Sequence, residues 1–189
     1  SGFSQDKQQL AKNVINRQDQ IMTHLGSVVE RKITAMRTRC HGDYHLENVL
    51  FTGKDFVVVN FEGEGVRPLN ERRMKRSLLR DIAIMLESFY YAANVALQEE
   101  IKNGMIRPEN LLAMEQWSTF WYSWVSISFL KAYLNNTMSS SFLPKTEEEI
   151  QVLLDVYLLE KVVYELDYEL NYRPEWVEIP LARIQQLIP

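Results

Sequence analysis

Only one short stretch of this chain has the residue pattern of β-structure, and segments with helical periodicity lie on both sides of it. Val49-Leu50-Phe51 and Phe56-Val57-Val58-Val59 flank Thr52-Gly53-Lys54-Asp55, whose glycine and aspartate are typical of a hairpin turn. A lone hairpin is marginally stable in water, so it has to pack against other elements. The sequence therefore predicts a mainly α fold with one small β-hairpin.

The residues before the hairpin are predicted to be helical. Ser4 is a suitable N-cap, and apolar residues recur at near-helical spacing up to about Arg37. Gly26 interrupts this pattern, and we expect a second helical segment from there to Met36.

The residues after the hairpin are predicted to form a loop from Glu62 to Arg76 and then a helical bundle. Gly104 and Pro108 mark a stop and a start, and Thr146 precedes three glutamates that suit the positive end of a helix dipole. The predicted helices are Ser77 to about Asn103, Pro108 to about Leu134, Thr146 to about Tyr172, and a short segment after Pro180.

Composition narrows the class of protein. The chain has 189 residues and a single cysteine, so it forms no internal disulfide, and a reducing, cytoplasmic location is expected. Its formal charge of -4 argues against a general nucleic-acid binder. The most apolar stretch, Trp117 to Leu134, contains serine and lysine, so a buried helix is expected there and no membrane partner. We assign its tryptophans to the core, with stacking on a sugar as the alternative.

The run His41-Gly42-Asp43-Tyr44-His45-Leu46-Glu47-Asn48 has the chemistry of phosphoryl transfer. Asp43 can orient a hydroxyl nucleophile or accept its proton, and Asn48 can offer an amide oxygen to a magnesium ion. Gly42 permits a tight backbone path between them, and His41 can fix the loop through a hydrogen bond to the backbone. A purely structural turn is the alternative for this run.

Three linked motifs resemble a known family. His-Gly-Asp, four residues and then Asn is similar to the catalytic loop of the aminoglycoside-phosphotransferase-like branch of the protein-kinase fold. The segment from Val58 to Glu64 is similar to the magnesium-binding segment of that fold. Together with the segment from Arg67 to Asp81, they narrow the resemblance to the maltokinase family, whose members occur alone or fused to trehalose synthase. The similarity covers about residues 38 to 95.

The resemblance implies that residues 1–189 form a single helical C-terminal lobe of a protein-kinase-like fold, with the N-terminal lobe absent from this chain. Its expected parts are a leading helical segment (1–37), a catalytic loop with a metal-binding hairpin (38–64), and a basic loop with a helical bundle (65–189). The implied reaction phosphorylates maltose to maltose 1-phosphate with ATP and Mg²⁺. Maltose or a similar sugar is the expected partner, and a trehalose synthase domain is a further one.

The resemblance also assigns roles to residues that match the family motifs. Asp43 corresponds to the catalytic base, and Asn48 and the residue at position 60 correspond to magnesium ligands. His41 and Asp81 are expected to stabilise the catalytic loop, Asp81 through the backbone amides of that loop.

The remaining assignments concern the acceptor. His45, Glu64, Arg67 and Arg72 are expected to be substrate-binding residues. For His45 a structural hydrogen bond is the alternative. For Arg67 and Arg72 the alternative is an ion pair with Glu62 or Glu64 that orders the loop.

Position 60 departs from the family pattern. The family has an aspartate there, whereas this chain has Asn60, whose amide carries no negative charge. A full charge at about 4 Å is worth roughly 4 kcal/mol at an effective dielectric near 20. In an extended segment positions 60, 62 and 64 share a face, so Glu62 or Glu64 could supply the carboxylate. The alternative function is a catalytically impaired kinase-like module that binds sugar or assembles with trehalose synthase.

Overall fold

A computed structural model describes residues 3–29, 31–137 and 140–188. The chain divides into two compact units. The terminal unit combines Ser1–Ala35 with Pro144–Pro189, and the central unit comprises Met36–Leu143. The predicted boundaries at residues 37 and 64 stay predictions.

The described elements are mainly helical, with one two-stranded antiparallel sheet. The helices and strands are α1 (Gln5–Asn16), α2 (Gln18–Gly26), β1 (Val49–Phe51), β2 (Phe56–Val58), α3 (Leu69–Arg72), α4 (Leu79–Lys102), α5 (Leu111–Thr137), α6 (Glu147–Tyr172) and α7 (Glu178–Leu187). Short 3₁₀ turns occupy Leu46–Asn48, Pro108–Asn110 and Pro174–Trp176.

The terminal unit packs α1, α6 and α7 around one apolar core. Val14 of α1 meets Leu159 and Val162 of α6, together with Leu181 and Ile184 of α7. Each of these helices contributes one apolar face, so a shared core is the only arrangement that removes all three faces from water.

The predicted start of α6 is confirmed. The Thr146 hydroxyl accepts a hydrogen bond from the backbone N–H of Glu149 at 3.2 Å, and Glu147, Glu148 and Glu149 occupy the first turn. The cap satisfies one free amide of that turn, while the acids lie at the positive end of the dipole.

In the central unit α4 is the most buried element. Its first three turns bury both apolar and acidic side chains, from Leu79 and Asp81 to Tyr90. Gly104 ends this helix as predicted, with φ at 70°, and the N–H groups of Gly104 and Met105 return to the carbonyls of Ile101 and Glu100. Such a double hydrogen bond requires a left-handed residue, which glycine adopts at little cost.

The predicted hairpin is confirmed, with Val49 opposite Val58 and Phe51 opposite Phe56. The N–H of Thr52 donates to the carbonyl of Asp55 across the turn at 2.8 Å. Leu46, just before β1, is linked to α4, because its N–H donates to the Ser88 hydroxyl at 3.3 Å. The first strand of the hairpin therefore begins directly after the His41 to Asn48 run.

The predicted helix from Gly26 to Met36 is wrong. α2 ends at Gly26, and residues 31–37 are not helical. Farther along, Thr38 exchanges two backbone hydrogen bonds with Arg76, at 2.8 and 2.9 Å. An antiparallel bridge requires extended backbone, so this long-range pairing and the β-branched Ile33 and Thr34 oppose a helix here.

The expectation of a buried aromatic helix is also wrong. α5 covers the predicted segment, but the side chains of Trp117, Phe120 and Trp124 are more than half exposed, and that of Trp121 is 45% exposed. Only its other side packs on α4, through ring contacts such as Phe89 with Phe129 at 5.6 Å. Among the described residues, none of the helices combines the length and apolar character needed to cross a bilayer.

The terminal core predicts a contrast between two leucines of α6. Leu159→Ala should lower the free energy of unfolding by about 2–5 kcal/mol, because Leu159 is fully buried and its loss leaves a cavity. Leu170→Ala, at a position 49% exposed in the same helix, is the matched control. Urea denaturation measures both changes, and equal losses would contradict the assigned core.

Candidate functional site

Asp81 connects the His41 to Asn48 run to the first turn of α4. One carboxylate oxygen accepts the backbone N–H of His41 at 2.7 Å, and the other accepts the N–H of Gly42 at 2.9 Å. Asp81 is 9% exposed, so these amides replace the water it has lost. Burial raises the pKa of Asp81 above its ordinary value, while the hydrogen bonds from Gly42 and His41 act in the opposite direction.

Gly42 has φ of 85° and lies against a second glycine of the site. A Cβ atom at Gly42 would lie 3.5 Å from Cα of Gly63, and Gly63 itself has φ of 74°. Both positions have a left-handed backbone, which explains why glycine occupies them, while a Cβ atom at either would make only ordinary van der Waals contacts.

Asp43 and Asn48 are in direct contact. The Asn48 amide donates to the backbone carbonyl of Asp43 at 2.7 Å and lies 3.3 Å from its carboxylate oxygen Oδ2. His45 Nε2 is 3.5 Å from the same carboxylate oxygen and 3.2 Å from the Asn48 amide nitrogen. Asn48 is buried, whereas 23% of the Asp43 side chain remains exposed. The carboxylate is thus oriented by the protein and still accessible to a ligand.

The His41 side chain stabilises the loop through hydrogen bonds between its two ring nitrogens and the backbone. Its Nδ1 accepts the backbone N–H of Asp43 at 3.3 Å, and its Nε2 lies 2.7 Å from the carbonyl of Val59, just beyond β2. This pair of partners places the ring proton on Nε2, since a carbonyl only accepts. The ring also packs against Phe61 at 4.9 Å. His41 therefore links the loop to the end of the hairpin.

Asn60 adopts a left-handed backbone conformation, with φ of 61°, which asparagine tolerates better than most residues. Its side-chain Nδ2 donates to Oδ1 of Asn48 at 2.6 Å. The chain turns at Phe61 and Glu62 directly afterwards. The expectation that positions 60, 62 and 64 share one face of an extended segment is therefore wrong.

These residues fit a magnesium ion poorly in this arrangement. The ion prefers oxygen ligands that include one or two carboxylates. Here the Asn48 amide oxygen accepts a hydrogen bond from Asn60, and Asp43 is the carboxylate in direct contact with this pair. Within the described ranges, no three His, Cys, Asp or Glu side chains come together as a metal site. The Glu62 side chain is exposed, and its assignment as a ligand stays a prediction.

Two of the predicted acceptor-binding residues, Glu64 and Arg67, contact each other, and Arg72 contacts the neighbouring backbone. Arg67 pairs with Glu64 at 2.6 Å and lies 3.7 Å from Glu71. Arg72 donates to the backbone carbonyl of Glu62 at 3.4 Å. Loop ordering, the alternative considered for both arginines, matches these contacts, while their binding of a substrate stays a prediction.

Two contributors were missed by sequence reasoning. The Ser88 hydroxyl, in the middle of α4, accepts a hydrogen bond from the N–H of Leu46. The carbonyl of Val59 accepts a hydrogen bond from Nε2 of the His41 ring. A serine within a helical pattern carries no signal of such a role, and a backbone carbonyl carries none at all.

Comparisons with known proteins indicate the class. No family model matches the chain. A glucosamine kinase from Streptacidiphilus jiangxiensis is 25% identical over 154 residues, which are 79% of this chain and 31% of that protein. The chain is thus a low-identity homologue of a sugar kinase and spans about a third of that relative's length.

Solved structures agree on the fold. A glucosamine kinase in crystal form A has a TM-score of 0.73 at 20% identity, covering 95% of this chain and 41% of the other. A glucosamine kinase in complex with glucosamine, ADP and inorganic phosphate has a TM-score of 0.59 at 23% identity, covering 79% and 32%. The mainly helical fold with its small sheet is therefore one found in sugar kinases.

The link through Asp81 generates a prediction about backbone exchange. Asp81→Asn leaves one oxygen to accept two amides, so the free energy of unfolding should fall by about 1–3 kcal/mol. Hydrogen exchange at His41 and Gly42 should accelerate more than elsewhere in the central unit, as NMR would measure. Asp55→Asn, in the exposed hairpin turn, should leave both amides unchanged. Unaltered exchange in Asp81→Asn would contradict the link.

Cys40 next to the loop should react slowly. Burial, with the Asp81 charge as a second cause, raises the pKa of the Cys40 thiol to about 11. Because the thiolate is the reactive form, alkylation by iodoacetamide should reach its half-maximal rate near pH 11. Asp81→Asn removes a negative charge and should move that midpoint to lower pH. A native midpoint equal to that of the urea-unfolded chain would contradict this.

Proposed function

We propose that this chain forms the helical, catalytic-loop part of a sugar kinase, which transfers the γ-phosphoryl group of ATP to a sugar hydroxyl. The observation that carries the proposal is the arrangement of Asp43 and Asn48, held on one loop by Asp81 with the Asp43 carboxylate partly exposed. The low-identity relationship to a glucosamine kinase supports the same class. Phosphoryl transfer needs positioning and charge stabilisation, which such a loop provides.

In the proposed reaction Asp43 accepts a hydrogen bond from the acceptor hydroxyl and takes its proton as the oxygen attacks the γ-phosphorus. The bond from that phosphorus to the β–γ bridging oxygen breaks, and ADP leaves with the electron pair. Asn48 keeps the Asp43 carboxylate in place through its amide nitrogen. His41 and Asp81 act on the backbone of the loop and position Asp43 without touching the substrate.

The acceptor is proposed to be a sugar with a free hydroxyl next to Asp43. The motif resemblance favours maltose, which would yield maltose 1-phosphate and connect the protein with trehalose synthase. The relatives named glucosamine kinase favour glucosamine. His45, beside the Asp43 carboxylate, is the best placed of the tentative acceptor ligands, since Glu64 and Arg67 pair with each other.

A second candidate is an impaired kinase-like module that binds sugar or a partner domain without efficient transfer. The observation favouring it is the hydrogen bond from Asn60 to Asn48. It uses one of the two lone pairs of the amide oxygen that a magnesium ion would need and directs an N–H donor at that oxygen, and position 60 adds no charge. We therefore expect slow transfer and weak binding of magnesium-ATP.

Replacing Asn60 separates these candidates. Asn60→Asp restores a carboxylate, which should tighten magnesium-ATP binding and raise the transfer rate at least about tenfold, because a nearby charge is worth several kcal/mol. Calorimetry with magnesium-ATP and a phosphate-transfer assay with maltose and with glucosamine measure both effects. Asn110→Asp, an exposed position at the start of α5, is the control for added charge.

Each result has a definite meaning. Equal affinity and turnover in both proteins would show that Asn60 does not impair the site. Because the chain is proposed to be one part of a kinase, both assays use the full-length protein, with and without Asn60→Asp. Absence of transfer from ATP to either sugar in both forms of that protein would contradict the kinase proposal and leave the module.

A further inference from the structure

A second concave site lies beside the loop, within the central unit. It is an open cleft, and Cys40, Gly42 and Gly63 contribute to its lining. Its charged lining comprises Arg67, Arg72, Arg76, Arg80, Glu64 and Glu71. Asp43, Asn48 and Asn60 do not border it, although the cleft shares Glu64, Arg67 and Arg72 with the predicted acceptor-binding residues.

The charges of this cleft are unbalanced. Its two glutamates lie against Arg67, at 2.6 and 3.7 Å. Among the described residues, neither Arg72 nor Arg76 forms an ion pair with a carboxylate. Arg80 donates to the carbonyl of Gly42 at 3.3 Å, and its charge also acts on Asp81. The positive charges of Arg72 and Arg76 are therefore not balanced by a carboxylate of the cleft.

These arginines are also partly removed from water. Arg72, Arg76 and Arg80 are half-buried, whereas Arg73 and Lys75 between them are exposed. In the described part of the chain, Nε of Arg72 is buried and has no hydrogen-bond partner. A buried donor without a partner costs free energy, and a charged one costs more. An anion in the cleft would offset the unbalanced positive charge of the same guanidinium group.

The backbone brings the cleft arginines together. Two main-chain hydrogen bonds to Thr38 hold Arg76 in place. The Cβ and Cγ atoms of Arg72 lie 3.7 Å from the position that a Cβ atom on Gly63 would occupy. A guanidinium group presents several N–H donors in one plane and binds tetrahedral oxyanions through paired hydrogen bonds. The arrangement suits a compact anion with several acceptor oxygens.

We propose that this cleft is a binding site for a phosphate group, with Arg72 and Arg76 as its principal ligands and Arg80 as a weaker one. The phosphate comes either from inorganic phosphate or from a phosphorylated sugar, since both present the same oxyanion. The proposal does not depend on phosphoryl transfer by Asp43.

Calorimetry with inorganic phosphate and, separately, with glucose 6-phosphate tests the proposal on the full chain without nucleotide. Saturable binding of at least one ligand is expected. The double variant Arg72→Gln/Arg76→Gln should weaken it about tenfold or more, because two charge-assisted donors are lost. Arg73→Gln/Lys75→Gln removes the same charge from the exposed positions and should change affinity by less than about twofold. Tighter binding of glucose 6-phosphate would identify a sugar phosphate as the source.

A second measurement does not depend on the folding of the variants. In ¹⁵N-labelled original chain, phosphate should shift the amide signals of Gly42 and Gly63 before those of the hairpin. Arg72→Lys/Arg76→Lys keeps the charge but loses the planar donors, and should bind phosphate several-fold more weakly. Absence of saturable binding, equal losses in the two glutamine double variants, or shifts confined to other regions would overturn the proposal.

Discussion

The carboxylate of Asp81 is the interaction on which the rest of the central unit's site depends. It joins the most buried helix to two consecutive amides of the loop, and both carboxylate oxygens are used. A buried carboxylate is stable only when its oxygens find donors, and the loop amides need an acceptor in return. Because each satisfies the other, the position of Asp43, which follows directly, is determined by the start of α4.

From that point a chain of polar contacts crosses to the hairpin. The His41 ring reaches the carbonyl of Val59, while Asn48 contacts both Asp43 and Asn60. In this chain the contact between Asn48 and Asn60 is a hydrogen bond between two side-chain amides. It is not a pair of oxygen atoms that face a cation. An amide at position 60 can donate, which an ionised carboxylate cannot, so one substitution changes both the charge and the direction of the contact.

Sequence reasoning located what local chemistry determines. The hairpin, the Thr146 cap and the Gly104 stop each depend on a few neighbouring residues, and the structure contains all three. It gave wrong predictions where contacts between residues far apart in the sequence determine the local structure. The segment before Thr38 is not helical, and its backbone soon pairs with Arg76, which is remote in sequence. The aromatic residues of α5 have the composition of a core, but only one side of that helix meets α4.

The candidate site likewise has features that the sequence predicted and features that it did not. The motif from His41 to Asn48 identified the loop, since the residue types and their spacing carry the chemistry. The turn at Phe61 that separates Glu62 and Glu64 from Asn60 could not be predicted, because it depends on the left-handed backbone at position 60. The convergence of Arg72 and Arg76 on one cleft could not be predicted either, because it depends on how the bridge to Thr38 places the basic segment.

The backbone of Gly42 lies at the boundary between the two proposed sites. Its N–H donates to Asp81, its carbonyl accepts from Arg80, and the next residue is Asp43. A site with Asn60 has less negative charge to attract a divalent cation, whereas the arginines of the cleft provide fixed positive charge without one. Together the two proposals describe a lobe that can recognise a phosphate group through arginine even where its metal ligands are weakened. Recognition of phosphate and transfer of phosphate would then depend on different residues of the same loop region.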